Sequence, residues 1–127
     1  MGRRKKPTLV PDAEVAVLRC LWEFGPSSKR QLMDWLYPSA TVSDAATVQK
    51  LIERLEQKGL VKRDRRRFAH IIHAAKTRDK FAGEQLEVLA EKLSDGSLCP
   101  LLLHVVETRR LTARERRTLR KLLEQEG

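Results

Sequence analysis

The strongest pattern of apolar and polar positions in the chain lies in residues 43–58. Its apolar side chains keep the i, i+3, i+4, i+7 spacing of one helical face; they are Val48, Leu51, Ile52 and Leu55. Ser43 or Asp44 is the expected N-cap, because a short polar side chain can accept a hydrogen bond from a free amide of the first turn. Gly59 is expected to end the helix, because glycine adopts the left-handed C′ conformation at little steric cost.

The chain is expected to become extended after this helix. Branched and aromatic residues predict two strands, at about 60–63 and 68–73, joined by a turn at 64–67. Basic side chains crowd this segment; they are Lys62, Arg63, Arg65, Arg66 and Arg67. Because such a cluster repels itself unless phosphates neutralise it, we interpret it as a wing that contacts the nucleic-acid backbone. A wing of this kind supplies affinity and register more than sequence choice.

Two further helices are predicted before the strongest one. Residues 11–24 form the first, and its buried stripe consists of Val15, Leu18, Leu21 and Trp22. Glu14 is expected to stabilise the positive end of that helix dipole. A Gly-Pro pair stops the first helix, and Ser27 or Ser28 is expected to cap a second helix that runs to Leu36. Two short helices followed by a third with its own polar face form the helix-turn-helix arrangement.

The face of the third helix opposite its apolar side is polar. The candidate DNA-reading residues on this face and its edge are Ala46, Thr47, Gln49, Lys50, Glu53 and Arg54. Glutamine and lysine can hydrogen-bond the edges of adenine or guanine, and a glutamate can accept from cytosine. Taken alone, the pattern fits an ordinary solvent-facing helix better. Combined with the basic wing and the uneven charge of the chain, it favours a recognition helix.

The charge is distributed unevenly along the chain. The 127 residues have a formal net charge of +9, of which residues 1–76 contribute +8 and residues 77–127 contribute +1. We therefore expect the N-terminal part to meet a polyanion. Residues 1–8 are predicted to be a disordered basic arm, residues 9–76 a winged-helix DNA-binding domain and residues 77–127 a helical dimerisation domain. The expected fold class is mainly α, a winged helix-turn-helix domain followed by a C-terminal helical dimerisation region.

Three helices are predicted after the wing. Thr77 is expected to cap the first, which ends near Leu93, and residues 100–108 form a second that is apolar almost all round. Thr112 with Glu115 forms a capping box for the last. Helices this short and apolar are expected to pack on a second copy in a two-fold dimer, with packing back onto the first domain as the alternative. The candidate dimerisation residues are Leu86, Leu89, Leu93, Leu101, Leu102, Val105, Val106, Leu119, Leu122 and Leu123.

Composition indicates the size of the core and the expected location of the protein. Apolar residues make up 41% of the chain, which is enough for one small helical core with an appended helical segment. No apolar run approaches the length of a membrane span and no signal peptide is present, so a cytoplasmic location is expected.

Residues that usually carry chemistry are sparse. Cys20 and Cys99 are expected to be buried small hydrophobes in a reducing compartment rather than redox or metal groups. His70 and His73 are three apart on a predicted strand, so they point to opposite faces and cannot share a metal, and His104 is isolated. No cofactor is expected. The chain lacks a nucleophile–base pairing, a phosphate-binding glycine-rich loop and a plausible carboxylate pair, so we expect no enzyme.

Two short motifs occur in order along the chain, Leu-Trp-Glu-x-Gly-Pro at 21–26 and Arg-Leu-x-x-Lys-Gly at 54–59. They lie within longer segments, 13–26 and 47–61, and Asp-Gly-Ser follows at 95–97. Downstream come Leu111, Thr112, Glu115 and Leu119. Together these segments resemble the penicillinase-repressor family of bacterial winged-helix regulators, which includes the methicillin-resistance repressors. The resemblance covers nearly the whole chain.

That resemblance implies a homodimer whose N-terminal domains bind a palindromic operator in double-stranded DNA and repress transcription. In some members a membrane-bound sensor protease relieves repression by cutting the dimerisation helices. The matching position here is His104-Val105, where those members have Asn-Phe. Copper-responsive relatives carry a cysteine-rich C-terminal motif, which residues 122–127 lack. Lys50 replaces a threonine common in the family's recognition helix, which implies a different operator preference.

A different class of function is also compatible with these patterns. A winged helix can serve protein assembly, or bind structured RNA or other nucleic acid without sequence preference. The basic wing would then be a general polyanion contact. Equal affinity for random duplex DNA and for any specific site would favour this alternative over a repressor.

Overall fold

The computed structural model describes residues 7–39, 41–66, 68–108 and 110–126, so most of the predicted basic arm lies outside the described residues. The elements follow in the order α1 (Asp12–Phe24), β1 (Ser27–Ser28), α2 (Lys29–Leu36), α3 (Val42–Gln57), β2 (Val61–Asp64), β3 (Ile71–Ala74), α4 (Arg78–Ser94), α5 (Cys99–Thr108) and α6 (Ala113–Glu126). The chain forms two compact units, and the boundary between them lies after Val88, within α4. This order confirms the predicted fold, mainly helical with a winged helix-turn-helix in its N-terminal part.

The core of the first unit is built from α1, α2, α3 and the small sheet. Its buried side chains are Val17, Leu18, Leu21, Leu32, Val48, Leu51, Ile52, Leu55, Leu60, Val61, Ile72 and Phe81. All four apolar residues predicted for the third helix are among them, which confirms its amphipathic face. In α1, Val17 is fully buried although the predicted stripe omitted it, whereas Val15 and Trp22 are half-buried at the edge of the core.

Three strands form an antiparallel sheet in the order β1-β3-β2. Ile72 pairs with Ser27 on one side and with Arg63 on the other. The sequence predicted β2 and β3 but missed β1, because two serines carry no periodicity and their partner strand is distant in sequence. β3 begins at Ile71, later than predicted, and Phe68 lies fully exposed in the loop before it.

Capping boxes close the N-termini of α2 and α3. For α2 the capping hydroxyl is that of Ser28, as predicted. For α3 the cap is Thr41, and the prediction of Ser43 or Asp44 is wrong. Thr41 Oγ1 accepts from the amide of Asp44 at 3.2 Å, and Asp44 Oδ2 accepts from the amide of Thr41 at 3.0 Å. Because Asp44, three positions after Thr41, completes this reciprocal pair, α3 begins at Val42, earlier than expected.

The C-terminus of α3 ends as predicted at Gly59, whose φ is +73°. The amide of Gly59 donates to the carbonyl of Glu56 at 3.0 Å, and the amide of Leu60 donates to the carbonyl of Leu55 at 2.9 Å. This pair of bonds is the Schellman motif, which satisfies carbonyls that a helix end leaves free. Leu55 and Leu60 are both buried, so the turn is also fixed by apolar packing.

An ion pair between buried Glu14 and partly exposed Lys58 joins α1 to the same end of α3. Glu14 is only 2% exposed, and its Oε1 accepts from Lys58 Nζ at 2.5 Å. A buried carboxylate requires a partner of this kind, because desolvation of an isolated charge is strongly unfavourable. The local sequence indicated only a helix-dipole role for Glu14 and gave no sign of its role in orienting α3.

The first part of α4 packs on α1 within the first unit. Phe81 is buried, and its ring lies 5.4 Å from that of Trp22, centroid to centroid. Gln85 accepts from the amide of Val10 at 2.8 Å and donates to the carbonyl of Thr8 at 3.2 Å. This stretch of α4 therefore belongs to the winged-helix unit, although the sequence pattern predicted it to be part of the dimerisation domain.

The second unit comprises the end of α4, then α5 and α6. Asp95 and Gly96 have φ values of 51° and 87°, and they end α4 where the break was predicted. Thr112 Oγ1 accepts from the amide of Glu115 at 3.1 Å, which confirms the predicted capping box of α6. No helix in the described ranges has the length and apolar character needed to cross a bilayer.

The two cysteines differ in their surroundings. Cys20 is half-buried in α1, and this burial raises the pKa of its thiol, as expected for a small hydrophobe. Cys99 is exposed at the start of α5, so the prediction that it is buried is wrong. The physical reason is that α5 has no fully buried residue in this structure.

The contrast between two glycines gives a test of this fold. Gly59→Ala should lower the free energy of unfolding by about 1 kcal/mol, because alanine is strained at positive φ although no atom lies within 4 Å of its Cβ. Gly83→Ala, inside α4 with equally open space, should instead raise it by about 0.5–1 kcal/mol. Urea unfolding of both variants measures these changes. A Gly59→Ala protein as stable as the unmodified chain would contradict the assigned turn.

Candidate nucleic-acid interface

α3 turns a polar face away from the core. Five of the predicted DNA-reading residues are exposed on it, namely Ala46, Thr47, Lys50, Glu53 and Arg54. Gln49 is half-buried at the edge of this face. The burial of the opposite side of α3 thus brings all six predicted residues onto one side of one rigid helix.

Sequence reasoning missed Val42 on this face. Its side chain is 89% exposed at the first position of α3, one turn before Ala46. Recognition helices contact base edges with their N-terminal residues, and an apolar side chain can contact the thymine methyl group. Val42 was missed because the wrong N-cap left it outside the helix. A search for a threonine followed three residues later by an acidic residue would have found the correct cap at Thr41.

The polar groups on this face are only partly free. Gln49 Nε2 donates to Glu53 Oε1 at 2.9 Å, and Thr47 Oγ1 donates to the carbonyl of Ser43 at 3.1 Å. Within the described parts of the chain, Lys50 and Arg54 form no salt bridge. These two cations are therefore available to base edges or phosphates.

Arg63 occupies a different position from the other wing cations. Side chains alternate between the two faces of a strand, so Arg63 shares the inward face of β2 with buried Val61. Its side chain is only 12% exposed, and its Nη2 lies 2.7 Å from Glu56 Oε1 on α3. Its buried Nε has no hydrogen-bond partner among the described residues. This arrangement fixes β2 to α3 and leaves little of Arg63 for a phosphate.

The tip of the wing exposes its cations. Arg65 is 61% exposed, with Nη2 at 3.5 Å from Glu56 Oε2. Arg66 is 89% exposed and donates from Nε and Nη2 to Asp64 at 3.1 and 3.0 Å. Lys62 is exposed on the outer face of β2. Arg67, also predicted to bind DNA, lies outside the described residues.

Asp64 organises the tip. Its Oδ1 also accepts from the backbone amide of Arg66 at 3.0 Å. The side-chain hydrogen bonds of Arg66, aided by this backbone bond, hold the pKa of Asp64 well below its usual value. The carboxylate thereby orients Arg66 before any ligand arrives, whereas the single 3.5 Å contact of Arg65 with Glu56 is weaker.

Comparison with known protein families identifies the family to which the chain belongs. The family model for the penicillinase repressor matches residues 10–125. The chain belongs to the penicillinase repressor family. The match confirms the family resemblance found in the sequence, and it makes this protein a DNA-binding transcriptional regulator with a winged helix rather than a member of an enzyme family.

Two solved structures are similar to this repressor family member. A MarR family protein from Bacillus stearothermophilus is 23% identical, with 92% of this chain and 75% of that chain covered and a TM-score of 0.49. A probable transcriptional regulator from Pseudomonas aeruginosa is 26% identical, with 94% and 79% covered and a TM-score of 0.40. No curated protein matches the chain.

In this repressor family member, the contact between Asp64 and Arg66 is expected to make the stability of the wing depend on pH. Asp64, whose usual pKa is 3.8, should titrate below that value, because Arg66 stabilises its ionised form. The stabilising contribution is then complete above the usual pKa and disappears as the pH falls through the lower folded-state pKa. An NMR titration of the Asp64 carboxyl measures this directly.

Arg66→Ala should return the pKa of Asp64 toward its usual value. Arg30→Ala, which removes an exposed arginine from α2, is the matched control and should leave it unchanged. An Asp64 that titrates normally in the unmodified protein would show that the bidentate contact with Arg66 does not persist in solution.

Proposed function

We propose that this penicillinase repressor family member is a dimeric repressor that binds an inverted-repeat operator, with α3 as its recognition helix. The observation that carries the proposal is the packing of α3 against the core. Its apolar face is buried in the core, so its opposite face presents Ala46, Lys50 and Arg54 together. A helix held in this way fits the major groove of B-form DNA.

The helix is expected to contact base edges, and the wing is expected to contact phosphates. Lys50 can bond the acceptors of guanine, and Val42 and Ala46 can contact a thymine methyl group. The exposed wing cations Lys62, Arg65 and Arg66 are suited to phosphates, which give affinity and register without sequence choice. Because Glu56 joins α3 to Arg63 and Arg65, the two parts should dock in a fixed relation to each other.

Dimerisation is proposed for the second unit from its exposed apolar side chains. Those at least 42% exposed are Leu93, Leu102, Leu103, Val105, Val106, Leu119, Leu122 and Leu123. A soluble protein rarely leaves so many large apolar groups in water without a partner surface. A two-fold dimer would cover them and would present two copies of α3 to two half-sites, spaced by about one helical turn of DNA or a multiple of it.

Relief of repression is proposed to act on the same unit. His104 and Val105 are exposed in the middle of α5, at the position where some family members are cut. Cleavage there would separate α6 from the rest of the chain and weaken the dimer. We place this action in the cytoplasm, where operator DNA lies.

A second candidate function has one specific observation in its favour. Gln49 and Glu53, both expected to read bases, are already bonded to each other, whereas the wing cations are exposed. A surface of that kind can bind nucleic acid by backbone attraction alone. Such binding would show no preferred sequence and would weaken steeply with salt.

Selection from a random duplex DNA library at near-physiological salt separates the two candidates. The unmodified protein should enrich an inverted repeat. Lys50→Ala should change the preferred bases, because Lys50 contacts base edges. Arg66→Ala should weaken binding to all sequences alike and lower the slope of log K against log salt by about 1. Arg19→Ala, which removes an exposed cation from α1, is the control and should do neither. Lack of any enriched motif would contradict the proposal.

The dimer is tested separately by the mass of the protein in sedimentation equilibrium. A Leu119→Glu, Leu123→Glu double variant should sediment as a monomer, because each buried leucine contributes about 1.5–3 kcal/mol and a buried carboxylate opposes association further. Gln125→Glu, which adds charge at an exposed polar position of α6, should remain dimeric. A monomeric unmodified protein, or a dimeric double variant, would show that this face is not the interface.

A further inference from the structure

The side chains of Gln49 and Glu53 are hydrogen-bonded to each other on the polar face of α3. Gln49 Nε2 lies 2.9 Å from Glu53 Oε1, one helical turn along the same edge. Glu53 is exposed, and Gln49 is half-buried beside it. A hydrogen bond to an ionised acceptor is shorter and stronger than one between neutral groups, so it holds the carboxylate in one orientation.

This bond changes which bases the two side chains can read. A glutamine recognises adenine by using its amide nitrogen and oxygen together. Here one N–H of Gln49 Nε2 is already bonded to Glu53, so a bidentate contact with adenine could use only the other N–H, in the orientation that this bond leaves. The group that the pair presents outward is the Glu53 carboxylate, an acceptor without any donor.

A carboxylate on this face affects base preference mainly by repelling bases that present hydrogen-bond acceptors in the major groove. It can accept from the N4 amino group of cytosine, whereas the acceptors of guanine and the O4 of thymine repel it. Adenine offers one donor beside an acceptor, so it is an intermediate case. Phosphates also repel Glu53, and Lys50 and Arg54 flank it with opposite charge. The net effect is weaker binding to most sequences and little loss at a matching one.

We infer that Glu53, oriented by Gln49, is a specificity-determining residue that selects cytosine at one position of each half-site by excluding bases that present acceptors. The inference rests on the proposed function, since it requires α3 to be the recognition helix. Gln49 is a positioning residue in this account, because it acts through Glu53.

Selection from the random duplex library with full-length Glu53→Gln tests this inference. The variant should lose the cytosine preference at one position per half-site by about tenfold, the scale of one base contact, while the other positions stay unchanged. Its affinity for random duplex should also rise, because a charge that repels phosphate has been removed. Gln49→Ala should weaken the same cytosine preference by a smaller factor.

The matched control is Glu23→Gln, which removes an exposed carboxylate from α1. It should leave the base preference at every position unchanged. If Glu53→Gln binds all sequences more tightly by one common factor, Glu53 is only a repulsive charge and the inference is overturned. Thermal unfolding of each variant shows whether the fold is intact, and Glu53→Asp, which keeps the charge, supplies a second variant that should retain part of the preference.

Failure of the inference can be told apart from failure of the proposed function. If the unmodified protein enriches a motif and Glu53→Gln enriches the identical motif, α3 or the wing reads DNA but Glu53 does not select. If the unmodified protein enriches no motif, the repressor proposal fails and the inference fails with it.

Discussion

The packing of α3 in the core of the first unit fixes the position of the candidate DNA-reading groups on that helix. Val48, Leu51, Ile52 and Leu55 hold one side of the helix, and the ion pair of buried Glu14 with Lys58 holds its end. Removal of Lys58 would leave the buried carboxylate of Glu14 without its partner, so this contact couples α1 to α3. The left-handed turn at Gly59 then directs the chain into β2, and the wing follows.

Carboxylates within the basic surface shape what that surface can do. Glu56 joins Arg63 and Arg65 to α3, and Asp64 orients Arg66. Each acid lowers the repulsion among neighbouring arginines, so a strongly cationic wing can exist without bound phosphate. The same acids reduce the overall attraction for DNA. The arrangement therefore favours defined geometry over maximal charge, which is the balance that a sequence-selective protein requires.

The sequence predicted the parts of the fold that local patterns determine. The apolar face of α3, the stop at Gly59 and the capping box at Thr112 follow from spacing and residue type alone. Non-local contacts were missed, because a helical carboxylate such as Glu14 shows no sign of its partner 44 positions away. For Arg63, strand alternation from Val61 would have predicted an inward side chain. Because Arg63 lies within a cluster of basic residues, it was instead predicted to contact DNA. The domain boundary was placed at the wing because the packing of Phe81 on Trp22 has no local signal.

In the proposed function, the polar face of α3 and the wing together contact DNA. Backbone amide chemical shifts, followed while full-length protein is titrated with non-specific duplex DNA at low salt, test it most directly. We expect the largest changes at Ala46, Lys50 and Arg66, with small changes in α5 and α6. Largest changes in α5 and α6, with α3 unaffected, would contradict it.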